Sequence, residues 1–199
     1  AGLLMNTELE ILGTLLKNPD RPLIVLLGGA KVSDKIGVLE NFISKVDVIL
    51  IGGGMAATFL KAAGNSVGAS LVEDNLVELA KDISQRAKEN QVAFHIPLDV
   101  VIAESFSPDS KSMTVTVDQV PDGWFIMDIG HRTLDTYRAQ IASGKTILWN
   151  GPSGVFEFKP FSRGTRELAA TIASLEDAIT VVGGGSTAEA IESLGLGHR

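Results

Sequence analysis

Cysteine is missing from the 199 residues, which excludes disulfide scaffolds, thiolate catalysis and cysteine-bound zinc. Histidine is scarce: His95, His131 and His198 are scattered and never at the spacing of metal ligands. Positive charge is in deficit, with a formal net charge of -7, which argues against a nucleic-acid partner, since phosphate backbones need a basic surface. Long apolar runs are also lacking. "LIVLL" and "VDVILI" are too short to span a bilayer, and the opening "AGLLMNTELE" has neither the basic n-region nor the apolar h-region of a signal peptide. What is present, 45% hydrophobic and 21% charged residues, specifies a globular chain with a substantial core, expected to form a single domain over 1–199.

Apolar spacing predicts a helix over 3–17, ended by "NPDRP". A buried strand "LIVLL" (23–27) runs into "GGAKVSDK", where Ser33 is placed to cap a helix. The unit repeats, with "VDVILI" (46–51) leading into "GGGMAATFLKAA". A helix over 73–89, a strand "QVAFHI" and an apolar run "VVIA" (100–103) follow. Residues 104–123 are polar, with turn signals around an alternating "MTVTVD", and predict an antiparallel strand or hairpin. After "DIG", Thr133 is placed to cap a helix through Ala142; then come the strand "KTILW", a helix over 164–174 and the strand "AITVV". Doubly buried strands alternating with helices predict an α/β, Rossmann-like three-layer sandwich, with a mainly parallel sheet and helices on both faces.

Four strands end in glycine-rich turns: GGAK, GGGM, NGPSG and GGGS. In a parallel sheet these turns share one edge, where ligands bind beside a topological switch point. A nucleotide-sized anion is therefore expected along that rim. Lys31 and Lys35 stand four residues apart, which puts both amines on one face near a helix N-terminus that favours anions. Asn150 shapes its turn, while Pro152 and Val155 with Phe156 offer an apolar wall that Glu157 ends with two acceptors, a slot suited to adenosine. "GGGMAA" and "GGGSTA" also satisfy the dinucleotide fingerprint formally, but the acid it requires would be Glu73 or Asp74, which open a helix instead of ending a strand. "SGKT" lacks the upstream glycine of a P-loop. His95 reads as a satisfied core histidine, Trp124 and Trp149 as packing residues, and Asp128 and His131 as structural.

The stretches "LGGAKVSDKI", "IGGGMA-TFLKA", "PDGW", "DIG", "WNGP-GVFE", "F-RGT" and "VVGGG" resemble, in order and spacing, the C-terminal nucleotide-binding domain of the phosphoglycerate kinase family. The resemblance covers nearly the whole chain. It implies a monomeric, cytoplasmic, two-domain glycolytic enzyme that moves a phosphoryl group between 1,3-bisphosphoglycerate and ADP, with Mg2+ accompanying ATP or ADP. It makes Lys31 the lysine that steadies the transferred phosphoryl and Lys35 a phosphate contact. Gly53 and Gly54 would line the adenine pocket with Pro152 and Val155, and Asn150 and Gly151 would fall near the phosphates. Glu157 would take the ribose hydroxyls, while Gly184, Gly185, Ser186 and Thr187 would form the last phosphate loop.

Departures accompany the resemblance. The family's N-terminal domain, which binds phosphoglycerate, is absent, residues 3–17 resemble the helix leading to it, and the chain stops short of the family's "STGGGAS" segment. This chain alone is therefore expected to be inactive. Many members carry a magnesium-contacting Asp where this sequence has Ser186, so Ser186 is the candidate metal contact. A pocket glycine of many members falls on Ile126. A non-catalytic nucleotide-binding or regulatory module of the same fold is the main alternative, and a dinucleotide-dependent oxidoreductase the third.

Overall fold

The protein is described by a computed structural model over residues 18–193 and 195. The expected helix at 3–17 and His198 lie outside the described residues. Strands β1 (Leu23–Leu27), β2 (Val48–Ile51), β3 (Ala93–His95), β7 (Thr146–Asn150) and β8 (Ile179–Gly183) form one parallel sheet in the order β3-β2-β1-β7-β8. The chain builds outward from β1 to β3 and then returns to β7 on the other side. The topological switch point thus lies between β1 and β7, which pair in register from Leu23 opposite Thr146 to Leu27 opposite Asn150.

The alternation of β1 explains the two cores. Leu23, Val25 and Leu27 face α1 (Ile36–Phe42), α2 (Met55–Ala62) and α3 (Val77–Glu89), where Leu39, Phe42, Phe59 and Ile83 are buried. Ile24 and Leu26 face the opposite way, onto Leu134, Tyr137 and Ile141 of α4 (His131–Ser143) and Leu168 and Ile172 of α5 (Arg163–Ala173). A side-chain period of two sends successive residues to opposite faces, so a five-residue strand buried throughout must be covered on both. The three-layer expectation holds.

The run 100–103 does not join that sheet. As β4 (Asp99–Ala103) it pairs antiparallel with β5 (Ser112–Thr116) and β6 (Phe125–Ile129), in the order β5-β4-β6. The expected hairpin is therefore one edge of a second, three-stranded sheet. Apolar content could not distinguish the sheets, because β4 is covered on both sides as well: Val100 and Ile102 pack toward Ala57 and Leu60 of α2, and Ala103 toward Met127 and Phe161.

Neither expected side-chain cap forms: α1 has no side-chain cap, and α4 is capped from a distance. The residue before α1 is Lys35, no side chain caps that helix, and the Ser33 N–H donates instead to Glu73 Oε2 at 3.0 Å. Helix α4 starts after Gly130, and the buried Asp99 carboxylate on β4 accepts from Arg132 N–H (3.1 Å) and Thr133 N–H (2.8 Å). Thr133 lies inside the helix, and its hydroxyl donates back to Asp99 Oδ1. Asp99 thus serves two donors that a helix N-terminus otherwise leaves unpaired. A Cβ at Gly130 would come within 2.2 Å of Asp99 Cγ, so Gly130→Ala should push the carboxylate off its donors. The expected loss is about 2–3 kcal/mol of unfolding free energy. Urea denaturation of this variant beside the unsubstituted chain measures it, and coincident curves would contradict the role given to Asp99.

Candidate functional site

At the carboxyl edge of the parallel sheet, the turns after β1, β2 and β7 are joined main chain to main chain. Gly28 N–H donates to Asn150 O (3.0 Å), Gly29 N–H to Pro152 O (3.0 Å), Gly53 N–H to Ser153 O (2.8 Å) and Met55 N–H to Gly29 O (2.9 Å). No side chain fits between these turns. A Cβ would lie 2.1 Å from Pro152 O at Gly28, 2.5 Å from Gly29 N at Gly53 and 2.2 Å from Gly28 O at Gly151. Gly53 and Gly151 also adopt positive φ, 66° and 99°, where side chains are disfavoured. These glycines serve first to let the turns approach one another.

Against the interlocked turns lies a cavity of about 490 Å³, extending toward the antiparallel sheet. Gly53, Gly54, Pro152, Val155 and Glu157, all picked out in the sequence, line it. So do Leu71, Phe106, Phe125, Ile126 and Met127, of which only Ile126 stood out in the sequence. Phe106 comes from the polar 104–111 loop, where nothing in the local pattern marks it. It is 58% exposed and packs its ring against Phe125 (centroids 6.4 Å) and Phe158 (5.4 Å). The walls are apolar, and Glu157 is exposed.

Other candidates gather outside that lining, along the rim. Lys35 Nζ donates to Asn150 Oδ1, joining the first turn's helix to the end of β7. Asn150 also borders the last turn, since a Cβ at Gly184 would lie 3.0 Å from Asn150 Oδ1. Helix α6 (Gly185–Ser193) begins there with Gly185 and Ser186 exposed. Thr187 is turned inward: it is fully buried and its Oγ1 accepts from Gly151 N–H at 2.7 Å. The hydroxyl of Thr187 therefore holds the turn after β7, while Ser186 beside it is exposed. Lys31 is exposed on the first turn.

The sequence model described as phosphoglycerate kinase matches residues 1–199. This chain belongs to the phosphoglycerate kinase family. It is 49% identical over 201 residues to the phosphoglycerate kinase of Chloroflexus aurantiacus and 48% identical to that of Chloroflexus aggregans. It spans about half the length of these relatives, 50% in both cases. Among solved structures, phosphoglycerate kinase from Coxiella burnetii superimposes with a TM-score of 0.91 at 43% identity, covering 97% of this chain and 50% of that one. The enzyme from Pyrococcus horikoshii OT3 gives 0.75 at 30% identity, covering 96% and 48%.

In this member of the family, Asp128 and His131 do not pair. His131 lies 3.4 Å from Asp99, while Asp128 on β6 accepts from Ile129 N–H (2.9 Å) and Gly164 N–H (2.8 Å), capping α5 from a distance. Gly154 and Gly164 both press on this carboxylate, where a Cβ would come within 2.3 and 2.4 Å of Oδ1. Asp128 therefore joins the cavity-lining loop to the start of α5, and Ser153 N–H reinforces the joint through Thr165 Oγ1 at 3.0 Å. His95 departs from the expectation of a satisfied core histidine, since its buried Nε2 has no hydrogen-bond partner among the described residues and burial lowers its pKa. Trp149 packs as expected, fully buried, and donates Nε1–H to Gly151 O.

Burial raises the Asp128 carboxyl to about 7, against the pull of its two N–H donors and Arg163. A carboxyl raised above its unfolded value binds a proton more readily in the folded state. Stability from this group consequently falls as pH rises between about 4 and about 7, with a limiting slope of about 1.4 kcal/mol per pH unit. The stability of the unsubstituted chain relative to Asp128→Asn should therefore decline across that window. Urea denaturation of both at pH 5 and pH 8 checks this, and an equal difference at the two pH values would contradict it.

Proposed function

We propose that this chain is the nucleotide-binding half of a phosphoglycerate kinase, holding ADP or ATP while a phosphoryl group moves to or from 1,3-bisphosphoglycerate bound by an N-terminal domain. The carrying observation is an apolar cavity floored by interlocked glycine turns, whose rim leads to Lys35, Asn150 and the N-terminus of α6. An apolar slot suits a purine, with Glu157 at its edge to accept from ribose hydroxyls. Lysines and helix N-termini suit phosphates.

In this reading Pro152, Val155, Gly53 and Gly54 pack the base, and Lys35, Asn150, Gly151 and the 184–187 turn meet the phosphates. Lys35 exchanges its Asn150 partner for a phosphate oxygen. Lys31, exposed at the mouth of the first turn, neutralises charge on the moving phosphoryl. No covalent nucleophile is required, because phosphoryl transfer depends on positioning and charge neutralisation. Among the described residues no group of three His, Asp or Glu side chains is placed to hold a metal. Magnesium would arrive with the nucleotide, whose phosphate charge it neutralises. Ser186 is the protein oxygen assigned to it, since Thr187 is committed to Gly151. The reading places the protein in glycolysis, in the cytoplasm, as a monomer.

The chain by itself should bind ADP yet show no turnover with 1,3-bisphosphoglycerate, because no in-line geometry forms without the acceptor's site. Lys35→Ala should weaken ADP about tenfold, the loss of one charge-assisted contact. Isothermal titration and a coupled assay test both points, and absence of ADP binding would falsify the reading.

Ser186 makes a separate prediction. A carboxylate there repels bare phosphates and attracts magnesium. Ser186→Asp should thus weaken metal-free ADP and enlarge the gain in affinity on adding magnesium. Titrations with magnesium and with a chelator compare the two proteins, and an equal gain in both would show that this position does not face the metal.

A further inference from the structure

Glu73 is the acid that a dinucleotide site would have required at a strand end, and the proposed nucleotide reading leaves it without a task. Its carboxylate accepts the Ser33 N–H at 3.0 Å, across forty positions of sequence. The Ser33 hydroxyl, the Val32 amide and the charge of Lys31 all favour its charged form. Its own N–H donates to Thr58 Oγ1 at 3.2 Å, and Thr58 is fully buried on α2, the helix that follows the second glycine turn. The next residue reinforces the attachment, with Asp74 Oδ1 2.7 Å from Lys61 Nζ of the same helix. Glu73 is therefore held to α2 by its backbone and reaches the Lys31 loop with its side chain.

We propose that Glu73 is a positioning residue that braces the 31–33 segment against α2, so that Lys31 is presented to the phosphoryl group in transfer, which is the terminal phosphate of bound ATP. The inference rests on the nucleotide-binding reading above. The segment has need of a brace. Ser33 precedes a helix that begins only at Ile36, with no side-chain cap, and Lys31, Ser33 and Asp34 are exposed. Burial opposes the charge of the Glu73 carboxyl, but the Ser33 and Val32 hydrogen bonds and Lys31 outweigh it and hold its pKa below the ordinary value. The carboxylate is thus charged at neutral pH beside the site where phosphate arrives. A mere electrostatic neighbour there would repel phosphate; a brace would assist it. Substitutions separate the two effects.

Glu73→Ala removes both acceptor and charge, whereas Glu73→Gln keeps an acceptor oxygen and drops the charge. Hydrogen exchange of the Ser33 amide and ATP titration are measured on the unsubstituted chain and both variants, together with the melting temperature. The expected result for Glu73→Ala is at least tenfold faster Ser33 exchange and about five- to tenfold weaker ATP binding, at an unchanged melting temperature. Glu73→Gln should restore Ser33 protection and bind ATP at least as well as the unsubstituted chain. Unchanged or tighter ATP binding by Glu73→Ala overturns the brace, and so does failure of Glu73→Gln to rescue. A lack of ATP binding by the unsubstituted chain overturns the nucleotide reading first, and this inference with it.

Discussion

The close approach of three main-chain turns governs this structure. Gly28, Gly53 and Gly151 sit where a single Cβ would overlap a neighbouring backbone atom, and the space they leave is filled by hydrogen bonds between the turns. Such bonds satisfy polar groups that would otherwise be buried and unpaired. They also fix the ends of β1, β2 and β7 relative to one another. The floor of the cavity and the rim carrying Lys35 and Asn150 follow from that one arrangement, because both are surfaces of the same three turns.

Distant carboxylates carry the rigidity outward. Asp99 and Asp128 lie on strands of the antiparallel sheet, and each supplies the N-terminal acceptor of a helix packed on the parallel sheet. Glycine recurs at each joint, at 130 for Asp99 and at 154 and 164 for Asp128, since a side chain would occupy the carboxylate's place. The two sheets are thereby tied together at both helices. The cavity between them has walls from β6, from the 151–157 turn and from the loop bearing Phe106. Burying a carboxylate is costly unless donors surround it, and each of these two has backbone donors from another element or turn.

Much was legible in the sequence, for reasons that lie in local chemistry. Five-residue apolar strands with helices between them dictate two covered faces, and the alternation of Leu23 to Leu27 divides the two cores. Glycine turns at the ends of parallel strands must fall on one edge, so the gathering of Gly53, Pro152, Val155 and Glu157 around one cavity followed from chain direction alone. The motifs likewise carried the family, because order and spacing are properties of the chain itself.

What needed the tertiary structure was every pairing between distant segments. Residues 100–103 carry no local mark of the sheet they join, since both faces are covered either way. Ser33 and Thr133 are sound caps by type, yet Glu73 engages the amide of one and Asp99 commits the hydroxyl of the other. Thr187 turns inward to Gly151 while Ser186 beside it is exposed, a choice made by how α6 packs. Sequence determines local conformation, periodicity and chain direction through short-range sterics and side-chain hydropathy. Partner choice among polar groups depends on distances set only when remote segments pack, and that is where the contacts of Glu73 and the caps at Asp99 and Asp128 were decided.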